Sequence, residues 1–202
     1  MAYNQFSIDA VRKNFGIEVI GEQTLFEKIT PVSPSELLKK FLERCLPLGS
    51  AIGTEKAWSE FIIAPILAEL VEIAQHHISL FSGVDFTVDE EKGLAGRCDF
   101  LISASRVQYS ITAPILAVVE AKNENLHLGL GQCMAEMIAA QIFNTKEGNS
   151  IQSVYGSVTT GSIWRFMKLE DHKIHIDQKE YFIEPLDVLL GILWAMVSEQ
   201  NA

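Results

Sequence analysis

Three charged residues near the middle of the chain have the types and the spacing of a small metal site: Asp99, Glu120 and Lys122. The segment 115–119 is apolar throughout, which is typical of a strand buried on both faces of a sheet, and Glu120 follows it directly. Side chains alternate between the faces of a strand, so Glu120 and Lys122 should point the same way. Because an unpaired buried charge is costly, these two side chains either pair where the strand reaches solvent or face a shared cation and substrate.

The preceding predicted strand, 98–103, offers a second carboxylate. Alternation places Arg97, Asp99 and Leu101 on one face of that strand. If the two strands are neighbours with their charged ends aligned, Asp99 and Glu120 converge, and two close carboxylates repel each other unless a cation lies between them. Ligation by oxygen alone, without His or Cys, favours Mg²⁺ or Mn²⁺ over zinc.

The motif built from these residues resembles that of a known nuclease superfamily. Gly96-Arg97-Cys98-Asp99, followed by Val119-Glu120-Ala121-Lys122, is similar to the D…ExK signature of PD-(D/E)XK nucleases. The resemblance covers roughly residues 54–170 and implies a restriction-endonuclease-like αβββαβ core. It implies that Asp99, Glu120 and the backbone carbonyl of Ala121 bind the metal, and that Lys122 orients or activates the attacking water.

The same resemblance extends to further candidate site residues. Many members carry a Glu on the first core helix, and here Glu55 and Glu60 are the candidates, on different sides of the helix. We prefer Glu60 as the site residue because it lies inside the apolar stretch 58–67. The alternative is that Glu60 simply faces solvent. Gln132 matches a Gln that some members carry on the helix after the lysine strand. Glu136 stands where some of those members have a tyrosine, so that part of the pattern is missing. Arg97 is expected either to contact a substrate phosphate or to pair with a carboxylate.

The elements that must position these residues follow an α/β pattern with a mixed central sheet flanked by helices. Helices are predicted at 7–15, from a capping box at 33–36 to about residue 45, at 54–77 with a kink at Pro65, at 128–144, and in an apolar C-terminal segment after Pro185. Strands are predicted at 84–88, 98–103, 115–119, 154–158, 163–169 and 173–183. We expect one domain, with an N-terminal helical extension at 1–53, a core at 54–170 and a C-terminal strand and helix at 171–202.

Composition narrows the function classes. The net charge of −10 counts against a protein that coats nucleic acid, although a local cleft with a bound divalent ion remains compatible with it.

Cys45, Cys98 and Cys133 fit neither a zinc pattern nor a disulfide framework, which favours free thiols in the cytoplasm. The N-terminus has no apolar signal core, and the apolar run 188–197 is too short to span a bilayer, so no membrane partner is expected. That run predicts a buried helix or a dimer contact.

The resemblance therefore implies metal-dependent hydrolysis of phosphodiester bonds in nucleic acid, with DNA preferred and restriction or repair as the setting. One alternative is a nuclease-like module that binds nucleic acid or a protein without cleaving, which the acidic composition favours. Another is an ordinary salt-bridge cluster of Asp99, Glu120 and Lys122. The expected partners are nucleic acid and either a second copy of the chain or another subunit.

Overall fold

A computed structural model describes residues 2–149 and 151–198, which form helices around one sheet. The helices are α1 (Ile8–Phe15), α2 (Glu36–Ile52), α3 (Glu55–Trp58), α4 (Ala64–Ile73), α5 (Leu126–Lys146) and α6 (Leu186–Ser198). The strands are β1 (Glu18–Gln23), β2 (Ser79–Asp85), β3 (Arg97–Ser103), β4 (Ile115–Ala121), β5 (Ser153–Thr159), β6 (Ile163–Glu170), β7 (Lys173–Asp177) and β8 (Tyr181–Phe182). A π-helical turn, Ser59–Ile63, joins α3 to α4, and a 3-10 turn, Tyr3–Gln5, precedes α1.

Within the described residues the sheet has eight strands: seven run in the order β1-β7-β6-β5-β4-β3-β2, and β8 pairs separately with β6. The pairs β1–β7 and β4–β5 are parallel, and the other pairs are antiparallel. The predicted α/β class with a mixed sheet is therefore confirmed. One sheet takes strands from the N-terminal, central and C-terminal parts of the chain.

Helices cover both faces of the central strands. On one face α5 packs against β4 and β5, where Val118 and Val158 meet Cys133 and Met134. The opposite face is covered mainly by α4 and α6, whose buried leucines belong to the same apolar cluster as Val119. This double coverage explains why segment 115–119 is apolar at every position. The C-terminal apolar run lies in α6 and is largely buried against this core, and none of the helices within the described ranges is long and apolar enough to cross a bilayer.

The second helix is longer than predicted. It continues to Ile52 instead of ending near Cys45, with Pro47 inside it. A proline removes one helical hydrogen bond, but burial of the α2 face that carries Leu42 outweighs that loss. The helix ends where Gly53 adopts a left-handed conformation at φ 67°. Ser35, rather than a capping box from Ser33, caps its start by accepting the N–H of Leu38.

The helix predicted at 54–77 starts as expected, with Thr54 as N-cap, but it is interrupted and shorter. The predicted kink takes the form of the π turn immediately before Pro65, where the N–H of Ala64 bonds to the carbonyl of Ser59. A widened turn relieves the clash of a proline ring with the carbonyl four residues earlier. The helix ends at Ile73, and β2 then occupies Ser79–Asp85 rather than 84–88. The small residues in the middle of β2 hide its alternation from the sequence.

Candidate metal centre

The register of β3 against β4 brings the two candidate acids together. Phe100 pairs with Val119 and Leu101 pairs with Val118, so the next position along the antiparallel pair sets Asp99 opposite Glu120. The Oδ2 atom of Asp99 accepts a hydrogen bond of 2.9 Å from the backbone N–H of Ala121. The Asp99 carboxylate is thereby held against the last residues of β4.

Asp99 reaches β4 because the alternation of β3 is broken beside it. Cys98 and Leu101, three residues apart, both pack into the apolar cluster under α5, which regular alternation forbids. On the neighbouring β2, Gly83 lies opposite Asp99 and has φ 62°, a conformation that favours glycine. The expectation that Arg97, Asp99 and Leu101 share one face is therefore wrong: Asp99 bonds in the plane of the sheet, where strand N–H groups point.

Glu120 is the most constrained acid of the site. Its residue is 2% exposed, and its Oε1 atom accepts a hydrogen bond from the Nζ atom of Lys122. Its Oε2 atom is buried and has no hydrogen-bond partner among the described residues. Burial, followed by the negative charge of Asp99, raises the pKa of Glu120 to about 8 although Lys122 acts in the opposite direction. A carboxylate in this position is unfavourable without an additional positive charge.

Lys122 is half-buried and lies between two acceptors. Besides Glu120, its Nζ atom lies 3.4 Å from the Oε1 atom of Gln132 on α5. Burial by itself would lower the pKa of Lys122, but the charge of Glu120 and the hydrogen bond to it outweigh burial, and the pKa is raised. Its backbone N–H bonds to the carbonyl of Thr159 at 2.8 Å, which continues the β4–β5 ladder past the end of β4. The ammonium group is therefore oriented by both its backbone and its side chain.

A glycine on α5 makes room for that lysine. A Cβ atom at Gly129 would lie 3.0 Å from Cγ and 3.1 Å from Cε of Lys122, and 2.7 Å from Cγ1 of Val158. These distances are shorter than ordinary carbon–carbon contacts. Only a residue without a side chain lets α5 approach β4 this closely, and the sequence analysis did not single out Gly129.

A third acid lies behind Gln132. The Nε2 atom of Gln132 donates to the Oε1 atom of Glu136 at 3.1 Å, one helical turn further along α5. Glu136 is 0% exposed, and its Oε2 atom has no hydrogen-bond partner in the described part of the chain. Burial, followed by the negative charge of Glu120, raises the pKa of Glu136 well above its usual value. The sequence analysis treated Glu136 only as a mismatch, although the four-residue spacing from Gln132 was a usable signal.

The structure does not bring every predicted residue to this cluster. Glu60, the preferred acid of the first core helix, is exposed and forms an ion pair of 2.6 Å with Lys56. Glu55, at the start of α3, is exposed as well, and its negative charge contributes to the raised pKa of both Glu120 and Lys122. Arg97 is exposed at the start of β3 and forms no salt bridge within the described ranges.

The donor set fits a hard divalent cation. Within residues 2–149 and 151–198, no three acidic, imidazole or thiol side chains are grouped as a metal site. A cation at Asp99 and Glu120 would therefore complete its shell with the Ala121 carbonyl, water or substrate oxygens, which is the usual habit of Mg²⁺. The buried, unpartnered Oε2 atom of Glu120 is a group that such a cation would satisfy.

Comparison with known proteins leaves the family open. No family model matches the chain, and neither a curated protein nor a solved structure matches it. Membership of the PD-(D/E)XK superfamily stays a prediction that depends on the motif and on the geometry around it.

Proposed function

We propose that this chain hydrolyses phosphodiester bonds in nucleic acid, preferentially DNA, with Mg²⁺ or Mn²⁺ bound at Asp99 and Glu120. The observation that carries the proposal is the meeting of these two acids across β3 and β4, with the Lys122 ammonium bonded to one of them. Salt-bridge clusters on protein surfaces are exposed, whereas Glu120 is almost fully buried at the end of the central strand.

The order of elements supports the restriction-endonuclease-like core as part of this proposal. Helix α4 is followed by β2, β3 and β4 in antiparallel pairing, then by α5, and then by β5 parallel to β4. This order agrees with the αβββαβ arrangement that the resemblance implies. The acids lie in the second and third of these strands, as the motif requires.

The chemistry assigned to the chain follows from its charges. A bound divalent ion polarises a phosphodiester and lowers the pKa of a water molecule bound to it. Because the pKa of Lys122 is raised, this side chain stays an ammonium ion at neutral pH. It would therefore donate hydrogen bonds to water or to a phosphate oxygen, stabilising the negative charge that develops during displacement, rather than accept a proton.

Room for a substrate exists beside the site. A cavity of about 310 Å³ begins two residues after Lys122, at the start of α5, and its lining includes His127, Thr160 and Arg165. These side chains can donate hydrogen bonds to phosphate or sugar oxygens. The cavity also includes Glu124 and Glu180, so its field is mixed and it can neutralise few phosphates, and we expect affinity for nucleic acid to fall only gradually with added salt.

A binding module without hydrolysis is the second candidate. It is favoured by the protonation of Glu120, whose pKa of about 8 leaves the acid pair short of one negative charge at neutral pH. In that state Lys122 donates to one oxygen of Glu120 and the N–H of Ala121 donates to one oxygen of Asp99, both from within the protein. A module of this kind would bind nucleic acid or a protein with no need for a cation.

Cleavage assays separate these candidates. The purified chain is incubated with plasmid, single-stranded DNA and RNA in the presence of Mg²⁺, Mn²⁺ or a chelator. We expect metal-dependent cleavage that Asp99→Asn and Lys122→Met each reduce about 100-fold or more, as loss of a preorganised charge does. The matched control is Glu60→Gln, which removes an exposed acid outside the cluster and should cleave like the wild type.

Three other outcomes would overturn the proposal. Equal rates for the wild type and Lys122→Met would show that any cleavage comes from elsewhere. Nucleic-acid binding without cleavage, and without Mn²⁺ uptake in calorimetry, would establish the binding module. If Asp99→Asn changes neither metal binding nor nucleic-acid binding, the acids form a structural salt-bridge cluster.

A further inference from the structure

Two hydrogen bonds lead from the buried acid of α5 to the lysine of the proposed site. Glu136 accepts from the Nε2 atom of Gln132 at 3.1 Å, and the Oε1 atom of the same amide lies 3.4 Å from the Nζ atom of Lys122. Glu136 itself is outside the proposed metal ligands, and it is 0% exposed. An acid buried this completely requires a reason, because burial of a carboxyl group is costly.

An amide side chain has one accepting end and one donating end. The ammonium of Lys122 can only donate, so it requires the oxygen of Gln132. The nitrogen of Gln132 then faces the interior, where it needs an acceptor, and Glu136 provides one. If the amide turned over, its N–H groups would face the ammonium, which cannot accept, so the ammonium selects the observed orientation and Glu136 holds it by accepting the N–H on the other side.

We propose that Glu136 is a positioning residue for Lys122, acting through the amide of Gln132. The catalytic consequence rests on the proposed function, whereas the orientation of Lys122 does not. Tyr3 lies in the apolar cluster under α5, but Glu136 does not orient its side chain, because the hydroxyl of Tyr3 donates to the carbonyl of Phe86 at 2.6 Å.

The protonation state of Glu136 supplies a matched variant. Burial, followed by the charge of Glu120, raises the pKa of Glu136 and so favours its neutral form, which accepts through its carbonyl oxygen. Glutamine has the same shape and the same carbonyl oxygen, so Glu136→Gln should keep the arrangement. Leucine and methionine are of similar size but lack an acceptor, so Glu136→Leu and Glu136→Met should release the amide.

The test observes Lys122 directly, without requiring cleavage. In protein labelled with ¹⁵N-lysine, the Lys122 ammonium signal is assigned by its loss in Lys122→Arg, and its hydrogen exchange rate is measured for each variant. We expect Glu136→Gln to match the wild type, and Glu136→Leu or Glu136→Met to exchange about tenfold faster or more, because the amide that accepts from the ammonium is no longer held in place. Thermal melts identify which apolar variant folds like the wild type, and that variant is used.

Two further comparisons distinguish positioning from a purely structural role. Gln132→Met removes the intermediary, and adding Glu136→Leu to it should change Lys122 exchange no further, since both act through one path. If the wild type cleaves DNA, the apolar Glu136 variant should lose about 10- to 100-fold in kcat with unchanged Mn²⁺ affinity, the usual cost of losing a supporting hydrogen bond. A chain that never cleaves but shows the expected exchange rates refutes the proposed function and leaves the positioning role standing.

The positioning role is overturned by either of two results. One is a folded apolar variant whose Lys122 signal and exchange rate equal those of the wild type. The other is a Glu136→Gln variant that is as perturbed as the apolar one, because the carbonyl oxygen would then not be the group that matters.

Discussion

Replacement of Gly129 by alanine should destabilise the protein even though alanine is the better helix former. In an open helical position the change gains about 1 kcal/mol. Here the new Cβ atom would lie 2.7 Å from Cγ1 of Val158, in a buried strand, and 3.0 Å from Cγ of Lys122. Overpacking of this kind costs about 1–3 kcal/mol, so the net change in the free energy of unfolding should run from about zero to a loss of 2 kcal/mol.

A second glycine within a helix provides a control that separates the gain in helix propensity from the cost of packing. At Gly49 of α2 the nearest atom to an added Cβ is Cγ1 of Ile62 at 3.6 Å, an ordinary contact. We therefore expect Gly49→Ala to be stabilised by up to about 1 kcal/mol. Because both substitutions make the same chemical change in a helix, the difference between them measures the packing cost, which should be about 1–3 kcal/mol.

Urea denaturation followed by circular dichroism gives both values, with equal m-values as the check on two-state unfolding. The lysine is the flexible neighbour, so Gly129→Ala should also shift Lys122 and reduce cleavage by more than its loss of stability explains. If Gly129→Ala is as stabilised as Gly49→Ala, α5 does not approach β4 as closely as described, and the reasoning about the space for Lys122 fails.

Three more predictions concern the same region. The pKa of Glu120 is raised from 4.5 to about 8, so the stability that this acid contributes is present below the unfolded pKa and is lost as pH rises through 8. Between pH 5 and pH 9 in metal-free melts, the free energy of unfolding of Glu120→Gln should therefore rise relative to that of the wild type by on the order of a few kcal/mol. Gly131→Ala should lose about 3 kcal/mol or more in urea titrations, because its Cβ would lie 2.3 Å from the backbone oxygen of Phe6, which cannot yield as a side chain can. Glu55→Gln should lower the pKa of Glu120 in a ¹³C NMR titration, while Glu60→Gln leaves it unchanged.

Periodicity and capping predicted much of the fold, because these signals are local. Ser7 caps α1 and a left-handed Gly16 ends it, and the apolar run before Glu120 is the doubly buried β4. The failures lie where tertiary packing outweighs a local signal. Pro47 is retained inside α2, and the Ser82–Gly83 step conceals β2. Neither the length of α2 nor the position of β2 can be deduced from helix or strand propensity, because propensity predicts structure only weakly and tertiary packing often overrides it.

The pairing of Asp99 with Glu120 could be predicted from the sequence, because a motif at fixed spacing and the pairing of two neighbouring strands are enough to derive it. The role of Gly129 could not be deduced, since it depends on how closely α5 approaches β4, whereas the spacing of Glu136 from Gln132 was a signal that the sequence offered. The preference for Glu60 over Glu55 used the position of the acid within an apolar stretch. That rule assumes a regular helix, and the helix is not regular over Ser59–Ile63, which includes Glu60.

The π turn between α3 and α4 has a consequence for homologous sequences of different length. A π turn holds one residue more than the α-helical turn it replaces. Deletion of a single residue within Ser59–Ile63 would let the helix run on without interruption and with its two ends still in phase, whereas a segment of unchanged length that lost the π turn would rotate everything before it by about 100° relative to α4. Glu55 would then swing away from Glu120 and an adjacent side of the first turn would take its place. Whether a related chain keeps the π turn at this length therefore decides which acid it could present to the proposed metal site.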